Sequence, residues 1–156
     1  MICRNCQKKR FDKISNIGNQ PISSLFLKKK KFIKNYSLNL YKCKFCGLVQ
    51  LSKIPNLKDM YGPDYGYKTS VSNLMIKHLK EKYNKIRKYN ILKNNSNILD
   101  IGSNDGTFLN FFCRLKKKLN LYGIDPSASA FLDSYKKKVN IIVDFFNNLS
   151  VKKYFT

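Results

Sequence analysis

The chain has 156 residues, 43% of them hydrophobic, with 10 Tyr and 11 Phe, which excludes a disordered chain and allows one domain or two small ones. Its formal net charge is +22, but 27 of the 31 basic residues are Lys, whereas specific readers of nucleic acid depend on Arg. No stretch of 18 apolar residues occurs, so we expect no transmembrane helix.

Two cysteine pairs stand in the first third of the chain, Cys3 with Cys6 and Cys43 with Cys46. A C-x2-C turn points both thiolates at one centre, and two such turns complete a tetrahedral site. The opening residues MICRNCQKKR lack an apolar signal-peptide stretch, so we expect a cytoplasmic, reducing location and zinc rather than disulfides. The alternatives are two redox motifs, which need a βαβ pattern that residues 1–50 lack, and unrelated free thiols. Because four thiolates leave no open position, the zinc is predicted to be structural.

Residues 17–92 contain four recognisable sequence patterns. Residues 17–27, IGNQPISSLFL, contain Gly and Pro turn signals before a short apolar run. Residues 36–51, YSLNLYKCKFCGLVQL, alternate apolar and polar residues as a strand does. Residues 55–72 hold two Gly, two Pro and three Tyr, which predicts a loop. Residues 72–92 repeat apolar residues at helical spacing, with Ser72 as a suitable N-cap.

The remaining residues alternate between strand and helix patterns. The predicted order is strand NILDI, helix TFLNFFCRLKKK, strand NLYGID, helix PSASAFLDSYKKK and strand VNIIVDFF. Strands and helices that alternate with short links predict a parallel sheet with right-handed crossovers. Cys113 falls within the first of these helices, and we expect it to be a buried helix residue rather than a fifth metal ligand.

The predicted fold class is therefore α/β, in three parts. A small zinc-binding module with four cysteine ligands occupies residues 1–60, and a tyrosine-rich loop and linking helix occupy residues 61–93. Residues 94–156 are predicted to form a β-α-β-α-β half-sheet.

The turn after strand NILDI, GSNDG, favours one kind of cofactor. It lacks the second and third glycines of a dinucleotide fingerprint, and Asp105 would repel a pyrophosphate. S-adenosylmethionine (SAM) fits better, since Asp100 suits its methionine part and Gly102 leaves space beside the loop. Asp125, 23 residues after Gly102, ends the second strand where a carboxylate accepts ribose hydroxyls, and Pro126 stiffens the exit. A nucleotide or a purely structural turn are the alternatives.

Together these blocks resemble a known family, the zinc-containing sugar C-methyltransferases that act on nucleotide-linked keto-deoxysugars. The resemblance covers almost the whole chain. It rests on the C-x-x-C start, GNQPISSLFL, YSLNLYKCKFCGLVQL, the tyrosine loop YGPDYGYKTSVS, His78, and ILDIGSNDGTFL with GIDPS. It implies structural zinc at the four cysteines of the two pairs. It also implies a cofactor site for SAM formed by Asp100, Gly102, Ser103, Asn104, Gly106, Asp125 and Pro126.

The tyrosine loop is similar to the segment that, in this family, closes over cofactor and substrate. That likeness makes Tyr65, Tyr67 and Ser72 pocket candidates, with Tyr67 and Ser72 at the cofactor. Ser70 stands where the family usually has Gly. Tyr65 and His78, the only histidine, are the candidate catalytic residues, although a lone His on a helix face is more often a packed residue.

Enzymes of this family look more than twice as long as this chain. In their sheet, further strands lie on the other side of the strand that corresponds to NILDI. The resemblance therefore implies that residues 94–156 are the N-terminal half of a truncated Rossmann-like domain. We expect an N-terminal fragment of a methyltransferase, inactive alone, which is either a truncated product or a split half completed by a separately encoded second half. NILDI would then lie at an open sheet edge. The substrate implied for the intact enzyme is a nucleotide-linked keto-deoxysugar.

Two other functions remain open from the sequence. One is a basic zinc module that binds nucleic acid, and the other is a SAM-binding or interaction domain without catalysis. The lysine runs Lys28–Lys31, Lys116–Lys118 and Lys136–Lys138 are predicted to be solvated surface, which makes a nucleic-acid partner the weaker alternative.

Overall fold

The computed structural model describes residues 1–23, 25–27, 29–62 and 64–155, and the chain forms two compact units, Met1–Met60 and Tyr61–Thr156. Lys28, one of the predicted surface lysines, lies outside the described residues. The other lysines of the three runs are exposed, as predicted. Within the described ranges, no helix has the length and apolar character needed to cross a membrane.

The first unit is an antiparallel sheet. Its strands are β1 (Phe11–Pro21), β2 (Asn35–Cys43) and β3 (Val49–Leu51), in the order β1-β2-β3, and a single helical turn, α1 (Leu57–Met60), follows. The alternating pattern of β2 correctly predicts a strand.

The turn predicted around Gly18 is wrong, because β1 continues through this residue. The register of β1 against β2 shifts between Asn16 and Asn19, and Gly18 has a φ of +80°. A β-bulge accommodates such a glycine while both flanks keep pairing. The amide of Gly18 donates to Oδ1 of Asn16 at 2.9 Å, which satisfies a donor at the irregular position.

The second unit begins with the tyrosine loop and helix α2 (Asn73–Lys88). Ser72 is the N-cap, as predicted: its backbone is extended and its side chain accepts a hydrogen bond from the Met75 amide at 3.2 Å. The loop before it contains one 3-10 turn, Thr69–Val71. One face of α2 packs through Tyr83 and Ile86 into the core of this unit.

A parallel three-stranded sheet completes the second unit. Its strands are β4 (Asn97–Ile101), β5 (Asn120–Ile124) and β6 (Val139–Ile142), in the order β4-β5-β6, with α3 (Thr107–Phe112) between β4 and β5 and α4 (Asn148–Phe155) after β6. The chain is therefore a mixed α/β protein with an N-terminal cysteine cluster. The buried core of this unit consists of Tyr83, Leu109, Phe112, Leu121, Ala128, Tyr135 and Val139.

The helix predicted from Pro126 to Lys138 is wrong. Two short 3-10 turns, Ala128–Ala130 and Leu132–Ser134, replace it. The Asp125 carboxylate accepts hydrogen bonds from the amide and the hydroxyl of Ser127, and Phe131 between the two turns has φ −135°. Side chains that bond to nearby backbone compete with helix formation in this way.

Helix α3 is also shorter than predicted, since it ends at Phe112 instead of continuing to Lys118. The amide of Leu115 bonds to the carbonyl of Phe112 three residues earlier, which tightens the chain as the helix ends. Cys113 is the C-cap residue, is half-buried, and stands outside the cysteine cluster.

Candidate functional site

Four cysteine sulfurs converge in the first unit. The Sγ atoms of Cys3 and Cys46 lie 3.5 Å apart, those of Cys6 and Cys43 lie 3.6 Å apart, and all four lie within 4.8 Å of one another. A zinc ion with four thiolates at about 2.3 Å requires sulfur–sulfur distances of about 3.8 Å. The cluster is therefore close to the geometry of a closed tetrahedral site, and these residues fit zinc.

The two C-x2-C turns are copies of the same backbone structure. In each, the amide after the second cysteine donates to the carbonyl of the first cysteine at 3.0 Å, from Gln7 to Cys3 and from Gly47 to Cys43. That residue has a left-handed backbone in both turns, with φ +61° at Gln7 and +74° at Gly47. The first turn therefore carries a side chain in a conformation that favours glycine.

Replacement of Gln7 by Gly is expected to stabilise the zinc-loaded first unit by about 0.5–1 kcal/mol, because a residue with a Cβ is disfavoured at positive φ. Thermal unfolding followed by circular dichroism measures the change. Gln7→Ala keeps the Cβ and serves as the matched control, which should show no gain. Equal melting temperatures for the Gly and Ala variants would contradict the explanation.

The thiols of the cluster differ in acidity when no metal is bound. The backbone hydrogen bond at Leu48 lowers the pKa of Cys46 to about 6, although burial acts to raise this pKa. For Cys6, the backbone hydrogen bond at Lys8 lowers the pKa, but burial and hydrogen bonds to the other thiols outweigh it and raise the pKa to about 12. Zinc has to displace the protons that remain, so its binding weakens as the pH falls.

A glutamine that the sequence reading missed joins the two cysteine turns. Gln50 in β3 is only 5% exposed; its Nε2 donates to the carbonyl of Ile2 at 3.1 Å and its Oε1 accepts from the amide of Arg4 at 3.0 Å. Its apolar neighbour Val49 is 50% exposed, so in this part of β3 the polar side chain is buried and the apolar one is not. No local signal marks such a residue, because only the partner segment supplies its hydrogen bonds.

In the second unit, the turn between β4 and α3 uses its backbone amides internally. The amide of Gly102 donates to the carbonyl of Ile124 at 2.9 Å, and that of Asn104 to Oδ2 of Asp125 at 2.9 Å. The amide of Gly106 donates to the carbonyl of Ser103 at 2.9 Å. A loop that binds phosphate instead directs such amides at the ligand.

A cavity of about 210 Å³ adjoins this turn, lined by Tyr67, Thr69, Met75, Leu79, Asp100, Gly102, Ser103, Thr107 and Phe108. Four of these residues are among the predicted cofactor residues: Tyr67, Asp100, Gly102 and Ser103. At Gly102, which has φ +75°, an added Cβ would have nothing within 4 Å, so the space beside this residue is open.

Asp100 is the chemically distinctive group of the cavity. No hydrogen bond to its carboxylate is present among the residues that the structure describes. Burial and, to a smaller extent, the charge of Asp125 raise the pKa of Asp100 to about 6, although Lys82 acts to lower it. A carboxylate in this state has unused acceptor capacity and is stabilised by any cation that enters.

The other predicted cofactor residues have structural contacts. Ser72 caps α2, and Gly106, with φ +73°, lies where an added Cβ would come within 2.3 Å of the Tyr135 ring. Asp125 is buried and accepts hydrogen bonds from Asn104 and Ser127, and Pro126 after it is half-buried.

The candidate catalytic residues do not line the cavity. His78 lies on the exposed face of α2. Tyr65 is half-buried, with its ring centroid 5.5 Å from that of Tyr61, and burial raises its pKa, which disfavours the phenolate that a base would need. Their catalytic role stays a prediction.

Two residues that support the turn were missed by the sequence reading. The hydroxyl of Tyr135 donates to the carbonyl of Asn104 at 2.8 Å and lies 2.7 Å from Oγ of Ser103, and burial raises its pKa to about 12. Asp105 is 1% exposed, and its Oδ1 accepts from the amide of Thr107 at 3.1 Å. A signal for Asp105 existed: Asp-x-Thr before a helical pattern is typical of a capping turn.

Comparison with known families supports the metal site. Residues 3–61 match the family model Methyltransf_13, described as a zinc binding domain, and all four cysteines of the cluster lie within the match. The first unit is thus similar to the zinc-binding module of a methyltransferase family. No curated protein sequence matches the chain.

Proposed function

We propose that the second unit binds SAM at the turn between β4 and α3, and that the chain is part of a methyltransferase that acts on carbon of a nucleotide-linked keto-deoxysugar. The observation that carries the proposal is the Asp100 carboxylate, which faces a cavity without a hydrogen-bond partner among the described residues. The methyltransferase family of the zinc-binding module supports it independently.

The electrostatics of the turn favour a cationic ligand over a phosphate. The amides of Gly102, Asn104 and Gly106 already donate within the protein, so they offer no cradle for an anion. Asp100 and Asp125 both add negative charge near the cavity. SAM carries a sulfonium and an ammonium group, and either is attracted by the half-buried Asp100 carboxylate.

Several residues of the chain would hold the cofactor in this proposal. Asp100 would bind the ammonium group of the methionine part, and Gly102 would leave room for the ligand against the turn. Asp125 would accept from a ribose hydroxyl: a carboxylate accepts about four hydrogen bonds, and protein donors occupy three of these positions. The cofactor supplies the methyl group, and the chain's own contribution is to orient it.

We also propose that β4 to β6 are half of a Rossmann-like sheet and that a further polypeptide segment pairs with β4. Within the described part of the chain, β4 pairs with β5 alone, and its Leu99 and Ile101 are 38% and 55% exposed. Unpaired strand edges with apolar neighbours readily accept another strand. Such a segment would cover this edge.

The Asp100 carboxylate makes SAM binding dependent on pH. Because burial raises its pKa to about 6, Asp100 is ionised at pH 7.5 and mostly protonated at pH 5. The affinity for SAM should therefore fall about tenfold between pH 7.5 and pH 5. Isothermal titration calorimetry of the zinc-loaded chain with SAM measures this.

Asp100→Asn is the matched variant, and it should bind SAM weakly with no such pH dependence. It should also be more stable than the original chain above pH 6. The folded pKa of Asp100 exceeds its ordinary value of 3.8, so the carboxylate destabilises the fold as the pH rises through that interval. Equal SAM affinity of the two proteins at pH 7.5 would contradict the proposed function.

A further inference from the structure

The side chains of Asn104 and Asp105 do not face the cavity but hold the segment Tyr67–Ser70. Oδ1 of Asn104 accepts from the amide and the hydroxyl of Thr69, at 2.9 and 3.0 Å, and its Nδ2 donates to the carbonyl of Tyr67 at 3.0 Å. Oδ2 of Asp105 accepts from the amide of Ser70 at 2.8 Å. Four hydrogen bonds thus connect two side chains of the turn to a segment about 35 residues earlier in the chain.

We propose that Asn104 and Asp105 are positioning residues, which fix Tyr67–Ser70 as a wall of the cavity. The use of that wall at a cofactor rests on the proposed function. The resemblance described above implies a segment that closes over bound ligands. The hydrogen bonds instead hold Tyr67–Ser70 against the turn through side chains of the protein itself.

Both positioning residues are themselves held firmly. Asn104 is buried in a left-handed conformation with φ +49°, which Asn tolerates better than most residues. Its amide donates to Asp125 and its carbonyl accepts from the Tyr135 hydroxyl, so residues after β5 hold it from both sides. Asp105 is anchored to Thr107 at the start of α3.

The chemistry of each side chain suits this task. The Asn104 side chain offers both a donor and an acceptor, so it can bond to a carbonyl and to an amide of the same backbone segment. Asp105 is almost completely buried; burial alone would raise its pKa, but hydrogen bonds from Thr107 and Ser70 lower it, so it remains an ionised acceptor. Thr69 and Tyr67, the residues held, both line the cavity.

Amide hydrogen exchange, followed by NMR on the zinc-loaded, ligand-free chain, tests the wall directly. The amides of Thr69 and Ser70 should exchange at least about tenfold more slowly than in an unstructured peptide, because each donates to a buried acceptor. Exchange at the unstructured rate, with protection only after SAM is added, would overturn the proposal in favour of a closing lid.

Two substitutions separate positioning from general stability. Asn104→Ala should accelerate exchange at Thr69 about tenfold. Asn95→Ala is the matched control, since Asn95 also has positive φ, at +65°, but is exposed and precedes β4, at the opposite end of the strand from the turn. The amide of Leu121 in the core strand β5 should stay protected in both variants, which shows that the fold is intact. Equal exchange at Thr69 in the two variants would overturn the role of Asn104.

The same variants connect the wall to ligand binding. Asn104→Ala should weaken SAM binding about tenfold, and Asn95→Ala should leave it unchanged. If the original chain binds no SAM, the proposed function fails, whereas the exchange rates of the ligand-free protein still decide whether the wall exists.

Discussion

Removal of zinc is expected to unfold the first unit, Met1–Met60. Among its described residues, the buried apolar side chains are Cys3 and Cys43, both of which are metal ligands. Within the described part of this unit, no fully buried apolar side chain lies outside the cluster. In zinc-finger peptides the metal contributes about 10–16 kcal/mol, nearly all of it folding free energy, and we expect the same dependence here.

Metal analysis should give about one zinc ion per chain. A strong chelator should then abolish amide protection in β1 and β2 while β4 to β6 remain protected, which NMR hydrogen exchange would show residue by residue. Cys43→Ser should lose the metal, and Cys113→Ser, outside the cluster, is the matched control that should keep it. Full zinc content in Cys43→Ser, or a first unit that stays folded after chelation, would contradict the four-thiolate site.

Replacement of Gly106 by Ala is expected to destabilise the second unit by about 3 kcal/mol or more. The new Cβ would lie 2.3 Å from Cδ1 and 2.6 Å from Cε1 of the Tyr135 ring, and the backbone has φ +73°. Tyr135 cannot withdraw without cost, because its hydroxyl contacts Ser103 and the carbonyl of Asn104. The substitution thus combines overpacking with backbone strain.

Gly102→Ala is the matched comparison, since Gly102 has nearly the same φ, +75°, but open space where a Cβ would go. It should cost only the strain of the left-handed backbone, about 1 kcal/mol. Urea unfolding of both variants, followed by circular dichroism, measures the difference. Equal losses of stability at the two glycines would show that the Tyr135 contact is unimportant.

Local signals were sufficient where one short segment decides its own conformation. The Ser72 cap, the strand pattern of β2 and the alternation of strands in residues 94–156 all depend on residues within a few positions of each other. The two cysteine pairs belong to the same class, because C-x2-C spacing directs both thiolates to one point. That the two pairs come together was then predictable, because zinc prefers four ligands.

Local signals failed where a polar side chain had a choice of partners. The residues after Asp125 have a helical pattern, yet the Asp125 carboxylate bonds to Ser127 and two 3-10 turns form instead. Asn104 stands in the predicted cofactor turn, but its side chain is bonded to Thr69 and Tyr67. The local sequence around Asp125 and Asn104 is the same whichever partner the side chain bonds to, so it does not predict that partner.

The sequence by itself determined the metal ligands, the parallel α/β unit and the position of Asp100 beside the glycine turn, because these follow from spacing and period along one segment. Only the tertiary structure decided that Asp100 has no hydrogen-bond partner among the described residues, while Asn104, Asp105 and Asp125 have theirs. The physical reason is that a buried polar group is satisfied by whichever segment folds against it, and a partner more than 20 residues away leaves no mark in the local pattern.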